Sequence, residues 1–507
     1  MRITNNMMIN NTTANINGNK INVNSLNLQM SSQKKIQRPS ENPVIAIRAL
    51  RLRSTLSQIT QYYEKNIPDA RAWLEATETA LYNMNKILTD VKSQCVTGTN
   101  EYLKPEDREA ILKSLTGLKD QLYSEGNADN AGRTIFTGFK TGSQLTFMED
   151  EDRTYEITQK LSYKDMGEHD YFTGSVEVPA SPADVTDPTK LQEISDENFI
   201  TKNSYDRVRL PYDNIEDITD FHLLDKDGYE LPRYQWVAYE SEEEWEQQEG
   251  GKNVPSGKVI IIKNTGDVLF GRNIAASVKS EQATIQVDYN KTGFSKGELR
   301  PEYYYNCTDV TDSANPIEYT KFDKTTGEKI YEDINYTVSL NQTMTINLQA
   351  DEIFDMNIYQ DVVEMIDAVQ SAIDAHDKVD RLKAMKSEAK YADCQEEMQQ
   401  WIDAAQKEAD YADSYLTTLF EEANGKFDKY MATVNTAYTE VGARGDQLEM
   451  TETRIGNLQL TQDELKSTNE DKELSDIIIE YTAAFNAYQA SLLSASKIEK
   501  QTLLDYI

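Results

Sequence analysis

The sequence of 507 residues is poor in cysteine, in basic residues and in long apolar runs. Its three cysteines, Cys95, Cys307 and Cys394, lie far apart without C-x-x-C spacing, so neither a disulfide framework nor a zinc site is predicted. Lysine and arginine total 52 against 86 acidic residues, and a net charge of -34 would repel nucleic acid. No segment reaches the run of about 18 apolar residues that a membrane span needs. Neither nucleic acid nor membrane is therefore an expected partner.

The motifs of catalytic and metal sites are also missing. His169, His222 and His376 are expected to be core or solvent-exposed residues rather than metal ligands. Residues 293–297 spell G-x-S-x-G, but turn-rich sequence follows where a nucleophile elbow requires a helix. We therefore predict that the protein is not an enzyme and that it binds no cofactor and no metal.

The strongest positive signal is a heptad pattern of apolar side chains near the C-terminal end. Alternating spacings of four and three residues place its members on one stripe of a helix. The stripe consists of Leu474, Ile478, Tyr481, Phe485, Tyr488, Leu492 and Ala495. A second set, at seven-residue spacing near the other end, consists of Ile9, Ile16, Val23 and Met30. The periodicity alone fits both an ordinary intramolecular coiled coil and packing between subunits.

Composition changes along the chain indicate helix, then strand, then helix. Ten asparagines between Asn5 and Asn27 disfavour helix in the first segment. Asn42 is predicted to cap a helix that has Pro43 at its first position, and Pro68 to kink or break it. Short runs rich in Val, Ile, Thr and Tyr then predict strands. Helical spacing returns near Asp351, and the acidic, alanine-rich stretch to Glu422 is expected to continue as helix.

The predicted fold class is α+β, an elongated multi-domain chain whose N- and C-terminal helices pair in a coiled-coil rod around a mostly β central insertion. Its predicted segments are an assembly segment, disordered when free, at 1–42; the first half of a helical rod at 43–145; the β insertion at 146–350; the second half of the rod at 351–465; and an assembly helix at 466–507. The sequence assigns no role to the insertion or to the helical region 375–422.

Several short segments match the motifs of one family, in order and near both ends of the chain. The residues that carry the match are Arg38, Pro39, Ser40 and Pro43 in RPSENP, Gly138 in NAGRTIFTGFKT, and Val441, Gly442 and Arg444 in VGAR. The opening MRITNNMM and the closing LLDYI match as well. Together these segments resemble the flagellin family, and within it the hook-associated proteins of the hook-filament junction.

The resemblance implies a non-catalytic structural subunit of the bacterial flagellum that joins hook to filament. Its implied partners are flagellin and another hook-associated protein, with further copies of itself in a homo-oligomeric ring and an export chaperone at the C-terminal stripe. The implied location is extracellular, after export of the unfolded chain by the flagellar secretion apparatus without a cleaved signal peptide. Both apolar sets would then order only against neighbouring subunits.

Two other functions fit parts of the same sequence. The first alternative is flagellin, the filament subunit itself, which shares the family motifs at both ends. The second belongs to another class, an enzyme or adhesin carried by the central β region at 146–345. Polymerisation from seeds distinguishes the first alternative, and turnover or glycan binding by the central region distinguishes the second.

Overall fold

The computed structural model describes residues 5–100, 103–195, 199–249 and 252–500. The chain divides into two compact units. The first takes in the described parts of Met1–Arg71, Asn335–Met344 and Asp446–Ile507, and the second those of Ala72–Ile334 and Thr345–Gly445. Long helices and two five-stranded sheets are both present, which confirms the α+β class predicted from the sequence.

Eleven α-helices lie in the described ranges. They are α1 Asn5–Ser32, α2 Pro43–Gln61, α3 Ile67–Gly98, α4 Pro105–Lys119, α5 Pro182–Val185, α6 Pro188–Ile194, α7 Glu242–Glu249, α8 Arg272–Ser280, α9 Asn357–Lys386, α10 Gln395–Glu470 and α11 Leu474–Lys500. The helix α1 forms in the Asn-rich segment. The expectation that residues 1–42 are disordered in the free subunit concerns another state of the chain and stays a prediction.

The strands of the same ranges fall almost entirely between the two helical parts. They are β1 Asp129–Asn130, β2 Arg133–Thr134, β3 Glu151–Ser162, β4 Gly167–Thr173, β5 Thr201–Arg209, β6 Asp217–Leu224, β7 Gln235–Tyr239, β8 Lys258–Ile262, β9 Asp267–Phe270, β10 Thr284–Phe294, β11 Asn306–Asp309, β12 Ile317–Tyr319, β13 Asn335–Ser339 and β14 Gln342–Thr345.

In the first unit, a π-helical turn at Tyr62–Asn66 separates α2 from α3. Its hydrogen bond runs from the Ile67 N–H to the Tyr62 carbonyl, five residues back. Pro68 follows at once; a proline lacks the N–H of a regular helix and its ring crowds the carbonyl four residues before it. The wider π turn relieves that crowding. The interruption predicted at Pro68 is therefore present as a π turn.

The second unit is built on two sheets. The first sheet has the order β12-β11-β3-β10-β6, and β10 lies antiparallel to both of its neighbours. The second has the order β4-β5-β9-β8-β7, in which β7 and β8 are parallel. On β10 the side chains of Ile285, Val287 and Tyr289 are buried, and the residues between them are partly exposed. This alternation is that of a sheet with one face packed on the core.

The prediction of a continuous helix through residues 375–422 is wrong, because α9 ends at Lys386 and α10 begins at Gln395. Between them Tyr391 and Cys394 are buried in a core cluster that also contains Val185. The Trp401 indole N–H donates to the Val185 carbonyl at 3.3 Å. Burial of these side chains stabilises the turn. The region that the sequence left without a role forms a helical hairpin covered by residues from the insertion.

A buried charge network links the second sheet to α9 in the second unit. Arg207 donates to Glu364 at 2.8 and 3.1 Å, and its Nη1 lies 3.3 Å from Asp267. Arg209 Nη1 lies 3.3 Å from Glu364, and the His169 ring nitrogen 3.4 Å from it. The two guanidinium groups hold the pKa of Glu364 well below its usual range against the effect of burial. Burial, with Arg207 nearby, lowers the pKa of His169 to about 4.

The pKa of His169 gives the second unit a pH-dependent stability. The unfolded chain takes up a proton near the ordinary histidine pKa, about 6.5, whereas the folded chain resists until about pH 4. Acid therefore favours the unfolded chain. Between about pH 6.5 and pH 4, His169 should lower the free energy of unfolding by roughly 3 kcal/mol. The free energy of unfolding is measured from urea curves followed by tryptophan fluorescence. We expect the free energy of His169→Gln to fall less between pH 7 and pH 4 than that of the wild type.

The four tryptophans, Trp73, Trp236, Trp245 and Trp401, all lie in the second unit, so the fluorescence reports that unit alone. His222→Gln is the matched control. The Glu230 and Asp220 carboxylates raise the pKa of His222, so its contribution is present in acid and is lost as the pH rises through that pKa. Superimposable wild-type and His169→Gln curves from pH 7 to pH 4 would contradict the assignment.

Candidate assembly surface

A short segment after α1 joins α1 to the junction of α10 and α11 in the first unit. The Lys35 N–H donates to the Glu470 carbonyl at 2.7 Å, and the Lys472 N–H to the Gln33 carbonyl at 3.0 Å. Lys34 and Asp471 form an isolated antiparallel bridge between these two bonds. The C-terminal end of α1 thus lies beside the N-terminal end of α11. Because α1 packs along α11, the two helices run antiparallel.

The carboxylate of Glu470, at the end of α10, is the anchor of this junction. Its side chain is 5% exposed and accepts two hydrogen bonds from Arg53 of α2, at 2.7 and 2.5 Å. Such a bidentate pair fixes orientation as well as distance. The neighbouring Asn469 amide donates to the Ile45 carbonyl at 3.1 Å. The end of α10, the start of α2 and the segment after α1 are thereby held at one point.

The least exposed positions of α1 and α11 define a seam between the two helices. Each set has alternating four- and three-residue spacing, as in a coiled coil. On α1 these positions are Thr12, Ile16, Asn19, Val23, Leu26 and Met30, and on α11 they are Ile477, Tyr481, Ala484, Tyr488, Ser491 and Ala495. Of the residues predicted from the sequence, Ile16, Val23, Met30, Tyr481, Tyr488 and Ala495 lie in this seam.

The other predicted residues keep large exposed areas; three of them lie beside the seam, and two, Ile9 and Leu474, continue its spacing near the helix ends. The set is Ile9, Leu474, Ile478, Phe485 and Leu492, each between 38% and 47% exposed. We call these five residues the apolar flank. The Phe485 ring stacks on that of Tyr481 at 6.0 Å, so the flank is continuous with the seam. Pairing of α1 with α11 within one chain therefore covers part of the predicted stripe. The apolar flank stays exposed.

The segment at 34–53 is basic, a feature that was not predicted from the sequence. It contains six lysines and arginines and a single acidic residue, Glu41, in a chain with a net charge of -34. On α2 the side chains of Val44, Ile47 and Leu50 are more than half exposed. A local charge count would have identified this basic and apolar face.

The structure shows the residues of the RPSENP motif in a turn followed by a helix cap. The Glu41 N–H donates to the Arg38 carbonyl at 3.0 Å, while Arg38, Pro39, Ser40 and Pro43 are exposed. The Asn42 side chain accepts from the N–H groups of the second and third helical residues at 3.2 and 3.3 Å. The predicted cap, with Pro43 at the first helical position, is confirmed.

Gly138, in the second unit, occupies a position that disfavours any other residue. Its φ of +61° lies in the left-handed region, and a Cβ there would overlap the side chain of Glu332. The Glu332 carboxylate accepts the Phe139 N–H at 3.1 Å, which explains the close approach. Phe136 of the same motif is buried edge-on against Phe354 at 5.1 Å. The F-x-G motif thus ties its loop to the segment before α9.

The VGAR motif lies on α10 in the second unit. Val441 is buried, and Arg444 donates to the carbonyls of Thr345 and Asn347, both at 3.1 Å. Gly442 has open space where a Cβ would lie, so packing within the described chain does not account for this glycine. Arg444 therefore has a structural role, because it holds the chain that follows β14 against α10.

Within the described ranges, no group of three or more His, Cys, Asp or Glu residues is arranged to hold a metal ion. Nor does any helix of those ranges have the length and apolarity to cross a membrane. Two motif matches predicted from the sequence, residues 1–4 of the opening and residues 503–507 at the close, lie outside the described residues.

Comparisons with known proteins place the chain among flagellar proteins. The bacterial flagellin N-terminal helical region matches residues 3–141. Flagellar hook-associated protein 3 of Salmonella typhimurium is 30% identical over 143 residues, which cover 28% of this chain and 44% of that protein. The protein of the same name from Escherichia coli is 31% identical over 115 residues, 22% of this chain and 36% of that protein.

A crystal structure of flagellar hook-associated protein-3 from Legionella pneumophila is also similar. The match covers 82% of this chain and 97% of that chain, at 11% identity and a TM-score of 0.30. A TM-score this low carries no weight, so the sequence matches alone support the relationship.

These matches define the class first: residues 3–141 match the N-terminal helical region of bacterial flagellin. Within the class, the relatives that the chain matches are hook-associated proteins, so the recognition drawn from the sequence motifs is confirmed. The chain matches less than half the length of those two relatives. Their likeness does not by itself extend their whole activity to this chain.

Gly138→Ala should destabilise the second unit by more than backbone strain alone. A left-handed alanine costs about 1 to 2 kcal/mol, and displacement of Glu332 removes a hydrogen bond worth about 1 kcal/mol. Gly132→Ala is the matched control, because Gly132 has a φ of +78° but open space around its Cβ position. Urea unfolding followed by tryptophan fluorescence measures both. Equal losses in the two variants would show that the contact with Glu332 contributes nothing.

Proposed function

We propose that the protein is a structural subunit of the bacterial flagellum that joins hook to filament and has no catalytic role. The observation that carries the proposal is the apolar flank on the α1–α11 pair of a flagellin-type chain. Five large apolar side chains that keep 38% to 47% of their surface are suited to contacts with other subunits. Flagellin on one side and another hook-associated protein on the other are the proposed partners.

Assembly is proposed to complete the folding of α1. Ordering a backbone costs on the order of 1 to 2 kcal/mol per residue, and the asparagines of α1 add to that cost. Among the described side chains of α1, the structure buries Leu26 alone, whereas burial of each large apolar side chain contributes roughly 1.5 to 3 kcal/mol. The balance for the isolated pair is poor. Burial of the flank against neighbours makes it favourable, which is coupled folding and binding.

The basic face of α2 supports a second contact of a different kind. Its exposed Val44, Ile47 and Leu50 provide apolar area, and the exposed Arg48 and Arg51 favour an acidic partner surface. Other copies of this acidic chain meet that requirement, since each has a net charge of -34. A homo-oligomeric ring with α2 at its contacts is therefore part of the proposal.

The proposed location is the outside of the cell, in the flagellum, after export of the unfolded chain by the flagellar secretion apparatus rather than through a cleaved signal peptide. A chaperone that covers the apolar flank before export belongs to the same proposal, because exposed apolar side chains promote aggregation in the cell. The interface residues predicted from the sequence, in seam and flank together, remain the proposed assembly contacts.

The alternative function is the filament subunit, flagellin. Purified protein added to filament seeds should leave their length unchanged if it is a junction subunit, whereas a filament subunit should extend them. Deletion of the gene provides an independent measurement. Loss of a junction subunit should leave hooks without filaments and release flagellin into the medium. Filaments that grow from the pure protein would favour the alternative.

Phe485→Ser combined with Leu492→Ser should abolish incorporation while the second unit stays folded. Both side chains belong to the apolar flank, and neither lies in the seam with α1. The double variant is expressed in cells that lack the gene, and swimming in soft agar is measured together with the flagellin released into the medium. We expect swimming to fall to the level of the deletion strain.

Tyr229→Ser is the control for that experiment. Tyr229 is 74% exposed, as much as any described aromatic residue, but lies in the second unit. Its loss should leave swimming unchanged. Unaltered tryptophan fluorescence in the double variant would show that the second unit stays folded. Normal swimming by cells that contain the double variant would refute the role of the flank.

A further inference from the structure

A lysine in the interior of the second unit lies beside two carboxyl groups. Lys291 of β10 is 3% exposed. Its Nζ donates to the Asp213 carbonyl at 2.9 Å and lies 3.5 Å from Asp213 Oδ1 and 4.0 Å from Glu298 Oε1. Asp213 lies between β5 and β6, and Glu298 follows β10. Three separate segments therefore bring an amine, a carboxylate and a second carboxyl group to one place.

The surroundings of this amine are largely aromatic. Nζ lies 5.5 Å from the centre of the Phe294 ring, against which Phe147 stacks at 4.6 Å and Tyr212 packs edge-on at 5.6 Å. Removal of an ammonium from water is costly unless close partners replace the water. The contacts at 3.5 and 4.0 Å are long for a buried ion pair. The amine is therefore held beside the partly exposed Asp213 carboxyl group without a close ion pair.

Glu298 is suited to carry a proton. Its side chain is 6% exposed, and its Oε2 accepts the Ser295 N–H at 2.9 Å, so that Oε1 faces Lys291. Burial raises the pKa of Glu298 to about 7 against the opposing effect of Lys291. At neutral pH both the acid and the carboxylate forms are accessible, which is the requirement for a group that first gives and then takes a proton.

We propose that Lys291 and Asp213 condense to form an intramolecular isopeptide bond, with Glu298 as the proton carrier. The Nζ–Cγ bond forms, one Cγ–O bond of Asp213 breaks, and that oxygen leaves as water. An ammonium and a carboxylate give an amide and one water molecule, so atoms and charge balance without a co-reactant. Glu298 protonates the departing oxygen and recovers a proton from Nζ. Nζ lies 3.5 Å from Oδ1 of Asp213, so the fold holds the amine next to the carboxyl group that it would attack.

A second buried lysine in the same unit provides an internal comparison. Lys321 Nζ lies 3.1 Å from Asp351 Oδ1, but the other oxygen of Asp351 lies 2.7 Å from Lys329 Nζ. Asp351 therefore has a cation at each of its two oxygens, so both oxygens are engaged in ion pairs. Asp213 has Lys291 as its described cationic partner. Condensation is therefore expected at Lys291 and not at Lys321.

The bond would connect two residues that are 78 positions apart and would join the β5–β6 connection to β10. A covalent link over such a loop restricts the unfolded chain, as a disulfide does, but does not depend on a redox environment. A chain without disulfides would gain the same kind of stabilisation in any compartment.

The test is the intact mass of the purified full-length protein, measured in denaturant. We expect a mass lower by one water molecule than the sequence requires, and tryptic digestion should release a branched peptide that contains Lys291 and Asp213. An intact mass equal to that of the sequence would overturn the proposal and leave an ordinary buried ion pair. A water loss that maps to any other pair, including Lys321 and Asp351, would overturn it equally.

Four variants test the chemistry. Lys291→Arg should show the full sequence mass, and Lys321→Arg should lose water like the wild type. Glu298→Gln keeps the shape of the side chain but cannot carry the proton, so it should remain at full mass while its tryptophan fluorescence stays native. Asp213→Asn should lose ammonia instead of water. Water loss that persists in Glu298→Gln would overturn the role of Glu298.

Discussion

The carboxylate of Glu470 is the interaction on which the first unit depends. Arg53 binds both carboxylate oxygens of Glu470, and the backbone carbonyl of Glu470 accepts the Lys35 N–H. Three parts of the chain, α2, α10 and the segment after α1, therefore meet at one residue whose side chain is 5% exposed. A buried carboxylate left without its guanidinium is strongly destabilising. The same contact sets where α1 and α11 begin to pair, and hence which of their side chains enter the seam and which remain in the apolar flank.

Periodicity predicted the helices and their pairing, but not the side of α11 that faces α1. The heptad of large apolar residues includes Phe485 and Leu492, whereas the seam uses Ala484 and Ser491. Small residues let two helices approach closely, yet they contribute little to a hydrophobic pattern. Two neighbouring stripes with the same spacing cannot be separated without the partner helix. The cap at Asn42, which depends on local sequence alone, was predicted correctly.

Features that depend on distant segments escaped prediction for a different reason. The helical hairpin between α9 and α10 turns where Tyr391 enters a core shared with Val185, which is remote in sequence. Lys291, Asp213 and Glu298 are unremarkable in a chain with 86 acidic residues until the β5–β6 connection packs against β10 and the residues after it. Chemistry at such a site arises from tertiary structure, which no local spacing encodes.

The two units have opposite requirements for stability. A subunit that completes its folding only in an assembly needs α1 and α11 to be marginal, since stable pairing would bury the side chains that neighbours must contact. The second unit makes no such demand on its own core, and a covalent link between Asp213 and Lys291 would make it harder to unfold. If export proceeds through the unfolded chain, this link must form after passage, because a closed loop of 78 residues cannot be fully extended. The isopeptide bond would then mark a subunit as already folded, and the order of export, folding and condensation would follow from the chemistry of the chain.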